Sequence, residues 1–163
     1  MAYLLDANVF IQAKNLHYGL DFCPAFWDWI LAGNAAGQVY SIEKVGDEIA
    51  AGADELSAWA AVNRTLFLAP DAAILGVLGT VATWATSQAY EPAAVNTFLQ
   101  VADYFLVAHA LAHKHVVVTH EVAAASTRKI KIPNACIGLG VKVMTPYEML
   151  RVERARFVLG AAA

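Results

Sequence analysis

Short apolar runs of strand length alternate along the chain with stretches of helical periodicity. Tyr3-Leu4-Leu5, Gln38-Val39-Tyr40-Ser41, His115-Val116-Val117-Val118-Thr119 and Val141-Lys142-Val143-Met144 read as strands. The third carries three valines in a row, and Gly140 and Pro146 bound the fourth. Runs that are apolar throughout, rather than alternating, are expected where both faces of a sheet are covered. Between them the spacing predicts helices over 25–36, 42–51, 55–63, 72–86, 102–114 and from 146 to about 158. Such alternation is the mark of an α/β fold, a parallel sheet of four to five strands between helical layers joined by right-handed crossovers. No internal repeat, low-complexity tract or Ser/Pro-rich linker interrupts the pattern, so 1–163 reads as a single domain.

Residues 72–90 contain no charged side chain. Two glycines, four Thr/Ser residues and Gln88 dilute the run, whose strongly apolar part ends near Trp84. A buried helix is therefore expected in place of a membrane span, which needs about 20 predominantly apolar residues. The start, MAYLLDANVF, lacks the basic n-region of a signal peptide. Cys23 and Cys136 form no CxxC pair and suit buried packing in a reducing, cytoplasmic setting. With 59% hydrophobic and 15% charged residues the chain is not disordered, and its 33 alanines favour close-packed helices. A net charge of −3 argues at first against a nucleic-acid binder. The average hides a split: residues 1–113 carry three Lys/Arg against eleven Asp/Glu, and residues 114–163 carry eight against three.

In an open parallel sheet the site lies outside the carboxyl ends of the strands. The first strand runs straight into Asp6 and Asn8, and the second ends at Ser41 before a helix bearing Glu43, Asp47 and Glu48. Asp103 opens the helix that feeds the valine strand, where it would also serve as an N-cap, and that strand ends in Thr119-His120-Glu121. In the second segment Glu48, between Val45 and Ile49, is the favoured ligand, with Glu43 the alternative and an i, i+4 pair of Glu48 with Lys44 the bland reading. Acids converging from separate segments repel one another unless a cation neutralises them. Oxygen donors of this kind suit Mg²⁺ or Mn²⁺. A dication held in such a pocket lowers the pKa of an attacking water and neutralises charge building on a phosphodiester.

Leu5-Asp6-Ala7-Asn8-Val9-Phe10-Ile11, Ser41 with a glutamate seven residues on, Asp103-Tyr104-Phe105-Leu106-Val107-Ala108-His109-Ala110 and Val117-Val118-Thr119-His120-Glu121 stand in PIN-domain order. Over nearly its whole length the chain resembles the PIN-domain nucleases, in particular the VapC-like toxins of bacterial toxin–antitoxin pairs. The segment Lys131-Ile132-Pro133-Asn134-Ala135-Cys136 is similar to that of an uncharacterised PIN subfamily. The resemblance implies a three-layer α/β/α domain that cleaves RNA with a metal held by Asp6, Glu48 and Asp103. It gives Asn8 and Thr119 the part of polar helpers, alongside Ser41. The family commonly has Asp two residues after that threonine, where this chain has Glu121, whose longer side chain would reach the metal directly or through water. The resemblance further implies products with 5′-phosphate and 3′-hydroxyl ends, and the high apolar content suggests a partner surface for a homodimer and an antitoxin. The stretch from about 52 to 100 is longer than in compact PIN members.

Arg128-Lys129-Ile130-Lys131, beginning seven residues after Glu121, is a candidate clamp on RNA phosphates. Arg151, Arg154 and Arg156 are spread around the expected last helix. His109, six residues after Asp103, lies about 240° around the helix from it, and HALAH lacks the glutamate of HExxH. His109 and His113 therefore read as surface or interface histidines. Trp27, Trp29, Trp59 and Trp84 are expected between helices. Two alternatives stand beside the nuclease reading: a degenerate PIN scaffold that binds RNA or protein without cutting, and a small-molecule phosphatase. The phosphatase would want an acid where Asn8 stands.

Overall fold

The computed structural model describes residues 1–160. The single-domain reading extends to 161–163, which lie outside the described residues. Strands β1 (Tyr3–Leu5), β2 (Val39–Ile42), β3 (Phe67–Leu68), β4 (Val116–Val118) and β5 (Val143–Met144) form one sheet in the order β3-β2-β1-β4-β5. Every pairing is parallel, with Leu4 opposite Tyr40 on one side and Val117 on the other. Leu4, Leu5, Val117 and Val118 are buried, as expected of strands covered on both faces.

The helices are α1 (Ala7–Gln12), running on into a π-helical turn (Ala13–His17), α2 (Pro24–Ala35), α3 (Glu43–Ala51), α4 (Glu55–Val62), α5 (Ala72–Ser87), α6 (Pro92–Phe98), α7 (Ala102–His113), α8 (Ile132–Leu139) and α9 (Pro146–Val152). One layer is built from α5, α7 and α8, which pack on one another. In the other, Phe10 of α1 meets Trp27 of α2 and Trp59 of α4, with Phe67 of β3 beneath. The fold is thus a three-layer α/β/α sandwich on a parallel sheet. Because the chain winds outward through β2 and β3, then returns to the centre for β4, the strand order reverses between β1 and β4. That reversal opens a crevice at their carboxyl ends, the usual binding position in such sheets.

Several sequence expectations are corrected. The last helix stops at Val152, not near 158: Arg154 is left-handed (φ 54°), the Ala155 amide turns back to the Leu150 carbonyl, and Phe157 packs on Tyr18 and Phe26. Arg151, Arg154 and Arg156 therefore do not share a helix. The charge-free α5 is not a buried helix: it buries Ile74, Val81 and Ala85 and leaves Leu75 63% exposed. Among the described residues no helix is long and apolar enough to cross a membrane. The short β3 and the helices α1, α6 and α8 go beyond what periodicity predicts.

Candidate functional site

Asp6 leaves β1 directly over the crevice. Its side chain accepts from the Ala7 amide (2.7 Å) and from the Thr119 hydroxyl (2.8 Å), so both carboxylate oxygens are fixed. Thr119 comes directly after β4, and its Oγ1 in turn accepts from Asn8 Nδ2 and the Glu121 amide, both at 3.1 Å. Asn8 completes the frame by accepting the His120 amide on its Oδ1 (3.1 Å). Ser41, fully buried, donates to the Leu5 carbonyl (2.6 Å) and binds the end of β2 to the end of β1. Its hydroxyl is thereby spent on positioning the strands.

Asp103 lies in the first turn of α7, whose N-cap is Val101. The expected capping role is therefore corrected: Asp103 stands two residues past the cap. Burial, then repulsion from Glu121 and Glu48, pushes its pKa up to about 6, and Lys129 opposes the rise. Asp6, only 6% exposed, is pushed up to about 7 by burial and by Asp103, against the hydrogen bonds from Thr119 and Ala7. Asp6, Asp103 and Glu121 thus lie near enough to act on one another, and Glu48 acts on Asp103. Glu48 and Asp103 open onto a cavity of about 610 Å³ that Lys44, Arg128 and Lys129 also line. Glu43 faces a different cavity with Arg64 and Phe67, so it does not join them. Lys44 is not paired with Glu48; its ammonium sits 4.5 Å from the Phe105 ring centroid.

Glu121 is turned toward the basic loop. Its Oε2 accepts the Ile132 amide at the start of α8 (2.7 Å), and its Oε1 stands 3.6 Å from Lys129 Nζ. The same loop is tied to α6 by the Glu91 amide, which donates to the Thr127 carbonyl (3.0 Å), and Arg128 Nε lies 3.8 Å from Glu91 Oε1. Arg128 and Lys129 consequently border the acids, whereas Lys131 precedes α8 and is not among the cavity's lining residues. Cys136 is buried below; burial and the charges of Asp6 and Glu121 drive its thiol up to about 12, so it remains protonated.

The histidines need a correction. His109 is 1% exposed, and burial lowers its pKa to about 4. His113 bonds Asp71 (2.8 Å), and both histidines line a cavity beside Met1 and Ala2, at the amino ends of the strands. They are thereby remote from the acids, as the helical angle requires.

The carboxylate oxygens of these acids are donors that suit a hard dication. Asp6 and Asp103, raised by burial and by neighbouring acids, are also a place where a cation would relieve strain in the charge distribution. Among the described residues, however, no three His, Cys, Asp or Glu side chains are drawn up as a ready-made metal group. Glu121 in particular is occupied elsewhere.

The chain matches, over residues 3–157, the family described as Domain of unknown function (DUF4411). The chain belongs to the DUF4411 family. No curated protein and no solved structure matches it. In this DUF4411 chain, sequence reasoning missed the cavity wall contributed by α6 and the anchoring residue Glu91. Pro92 directly after Glu91 was the available signal, since proline favours the first helical position.

Proposed function

We propose that this protein is a PIN-like, metal-dependent endoribonuclease, acting as the toxin of a bacterial toxin–antitoxin pair in the cytoplasm. One observation carries the reading: acids from four separate segments act on one another electrostatically at the strand ends, Asp6 being raised by burial and by Asp103 and Glu121, and Asp103 by burial and by Glu121 and Glu48. Asp6, Asp103 and Glu48 would hold Mg²⁺ or Mn²⁺, with Glu121 joining directly or through water. When bound, the ion supplies a water of lowered pKa and charge neutralisation at the phosphate. The chain's own contribution is positioning. Thr119 and Ala7 hold the Asp6 carboxylate in one orientation, and Arg128 and Lys129 offer cations to the backbone of the RNA substrate. A cognate antitoxin protein and a homodimer belong to the same proposal.

A second reading, a scaffold that binds RNA or protein without cutting, is favoured by the engagement of Glu121 with Ile132 and Lys129. Calorimetric titration with Mn²⁺ separates the two. The nuclease reading expects acid-dependent binding lost in an Asp6→Asn, Asp103→Asn double variant, and RNA products with 5′-phosphate and 3′-hydroxyl ends. Chelator-insensitive cleavage that survives in the double variant would overturn it, and Mn²⁺ binding indifferent to these acids would favour the scaffold.

A further inference from the structure

We propose that His109, His113 and Asp71 hold a Zn²⁺ ion at the amino ends of the strands, the opposite end of the sheet from the acids. The site is separate from the ribonuclease reading and does not depend on it. His109 and His113 stand four residues apart in α7, so they lie one above the other on the same helix face. That is the pairing with which an HExxH helix grips zinc. The glutamate that HALAH lacks is the general base of that motif and not a ligand, so the metal-binding pair is intact. The third donor comes from α5. Asp71, its N-cap, accepts the Ile74 amide on Oδ1 (3.0 Å) and turns Oδ2 to His113 Nε2 (2.8 Å).

His109 is the residue that points to a ligand. It is 1% exposed, yet among the described residues its side chain has no hydrogen-bond partner, and it lines a cavity of about 370 Å³ with His113 and Asp71. No fully enclosed side-chain nitrogen among those residues lacks a partner, so the ring nitrogens of His109 open onto that cavity. A nearly buried polar group left unpaired is costly, and an ion in the cavity would satisfy it. Burial also keeps this ring neutral, the form in which an imidazole binds metal. Two imidazoles and one carboxylate suit Zn²⁺ better than Mg²⁺.

His115 lines the same cavity, but its Nδ1 accepts the Ala2 amide (3.1 Å). It forms a wall stacked on His113, with centroids 5.7 Å apart, and is not a ligand. Among the described residues the three donors are not already gathered about one point. The ion enters between His113 and Asp71 and replaces the proton they share, which passes to Nδ1 of the ring or to solvent. Ligand atoms at tetrahedral angles and bonds of about 2.0–2.1 Å stand about 3.3 Å apart, so the pair opens by only about 0.5 Å. Both side chains are partly exposed and free to do so. Water completes the coordination from the open side. The bound ion clamps the start of α5, otherwise held by a few apolar contacts, onto the end of α7.

The test titrates Zn²⁺ by calorimetry into the untagged full chain carrying Asp6→Asn and Asp103→Asn, so that the acid site is not read. One Zn²⁺ per chain is expected. His113→Gln and Asp71→Asn, both at partly exposed positions and the second keeping the cap, should each weaken binding about 10-fold or more. His17→Gln, which removes the histidine beside His120, should bind as its parent does. Co²⁺ in place of Zn²⁺ should give the visible absorption of a tetrahedral ion, and His109→Gln should lose it. Zn²⁺ should raise the Tm of the parent and leave that of His113→Gln unchanged, which also checks that the variant folds. No stoichiometric Zn²⁺ binding, or binding unchanged in His113→Gln and Asp71→Asn, would overturn the site. Loss of binding in His17→Gln instead would overturn it too. With the acids already removed, none of these results bears on the ribonuclease reading.

Discussion

The chemistry of single carboxyls dominates at the smallest scale. Asp6 and Asp103 are raised to about 7 and about 6, well above ordinary aspartates. An acid whose folded pKa lies above its unfolded value keeps its proton in the fold after the unfolded chain has lost it. Stability is therefore greatest below about pH 4 for these groups and is lost as pH rises toward 7. In chelator, thermal unfolding at pH 5.5 should give a higher Tm than at pH 8, other titrating groups aside. Asp103→Asn should flatten that slope and stabilise the pH 8 protein by on the order of 1–2 kcal/mol, allowing for solvent screening. A steeper slope, or a destabilised variant at pH 8, would contradict the account. Asn8 is a positioning residue that bonds Thr119 and His120 at once. Asn8→Ala should cost about 1–3 kcal/mol in urea unfolding and lower RNA cleavage, because Thr119 and the His120 amide lose their fixed partner.

At the scale of elements, the loop from Glu121 to α8 decides where the cations sit. Glu121→Ala should weaken RNA binding by removing the acceptor for the Ile132 amide that fixes the loop, whereas Glu121→Gln keeps an acceptor and should bind RNA nearly as the parent does. A Gln variant that binds RNA normally yet loses Mn²⁺ affinity would mark Glu121 as a ligand as well. Packing between α5 and α8 makes a separate demand: a Cβ at Gly138 would press into the Trp84 ring. Gly138→Ala should lower stability by about 1–3 kcal/mol with Mn²⁺ affinity unchanged, read from the urea midpoint and calorimetry. These elements also show what sequence patterns reveal. Long apolar runs and helical spacing make β1, β2, β4, α3, α5 and α7 legible, and with them the segments that carry Asp6, Glu48, Asp103 and Thr119. The two-residue β3 and the six- and seven-residue α1 and α6 are too short for a period to register. A surface position for His109 does not hold, because a helix angle shows that it turns from Asp103, not whether another helix covers it.

For the whole molecule, the contrast between an acidic front and a basic back resolves into one place. Glu48 and Asp103 from the acidic part and Arg128 and Lys129 from the basic part line the same cavity. The net charge of −3 is thus a poor guide to what this surface attracts. Cation contacts of this kind make RNA affinity fall as salt rises, and Arg128→Ala with Lys129→Ala should reduce both the affinity and the steepness of that fall. Contacts between remote segments are the part that no sequence pattern discloses: that Glu121 serves the loop, that Ser41 binds Leu5, and that His17 reaches Tyr147. The most direct measurement of the central claim is the rate of cleavage of a single-stranded RNA in Mn²⁺ by the parent and by Asp103→Asn, each with and without chelator. The account predicts cleavage by the parent that chelator abolishes, and a fall of at least about 100-fold in the variant with its fold retained. Cleavage by Asp103→Asn at the parent's rate, or a parent that leaves the RNA intact in Mn²⁺, would contradict it.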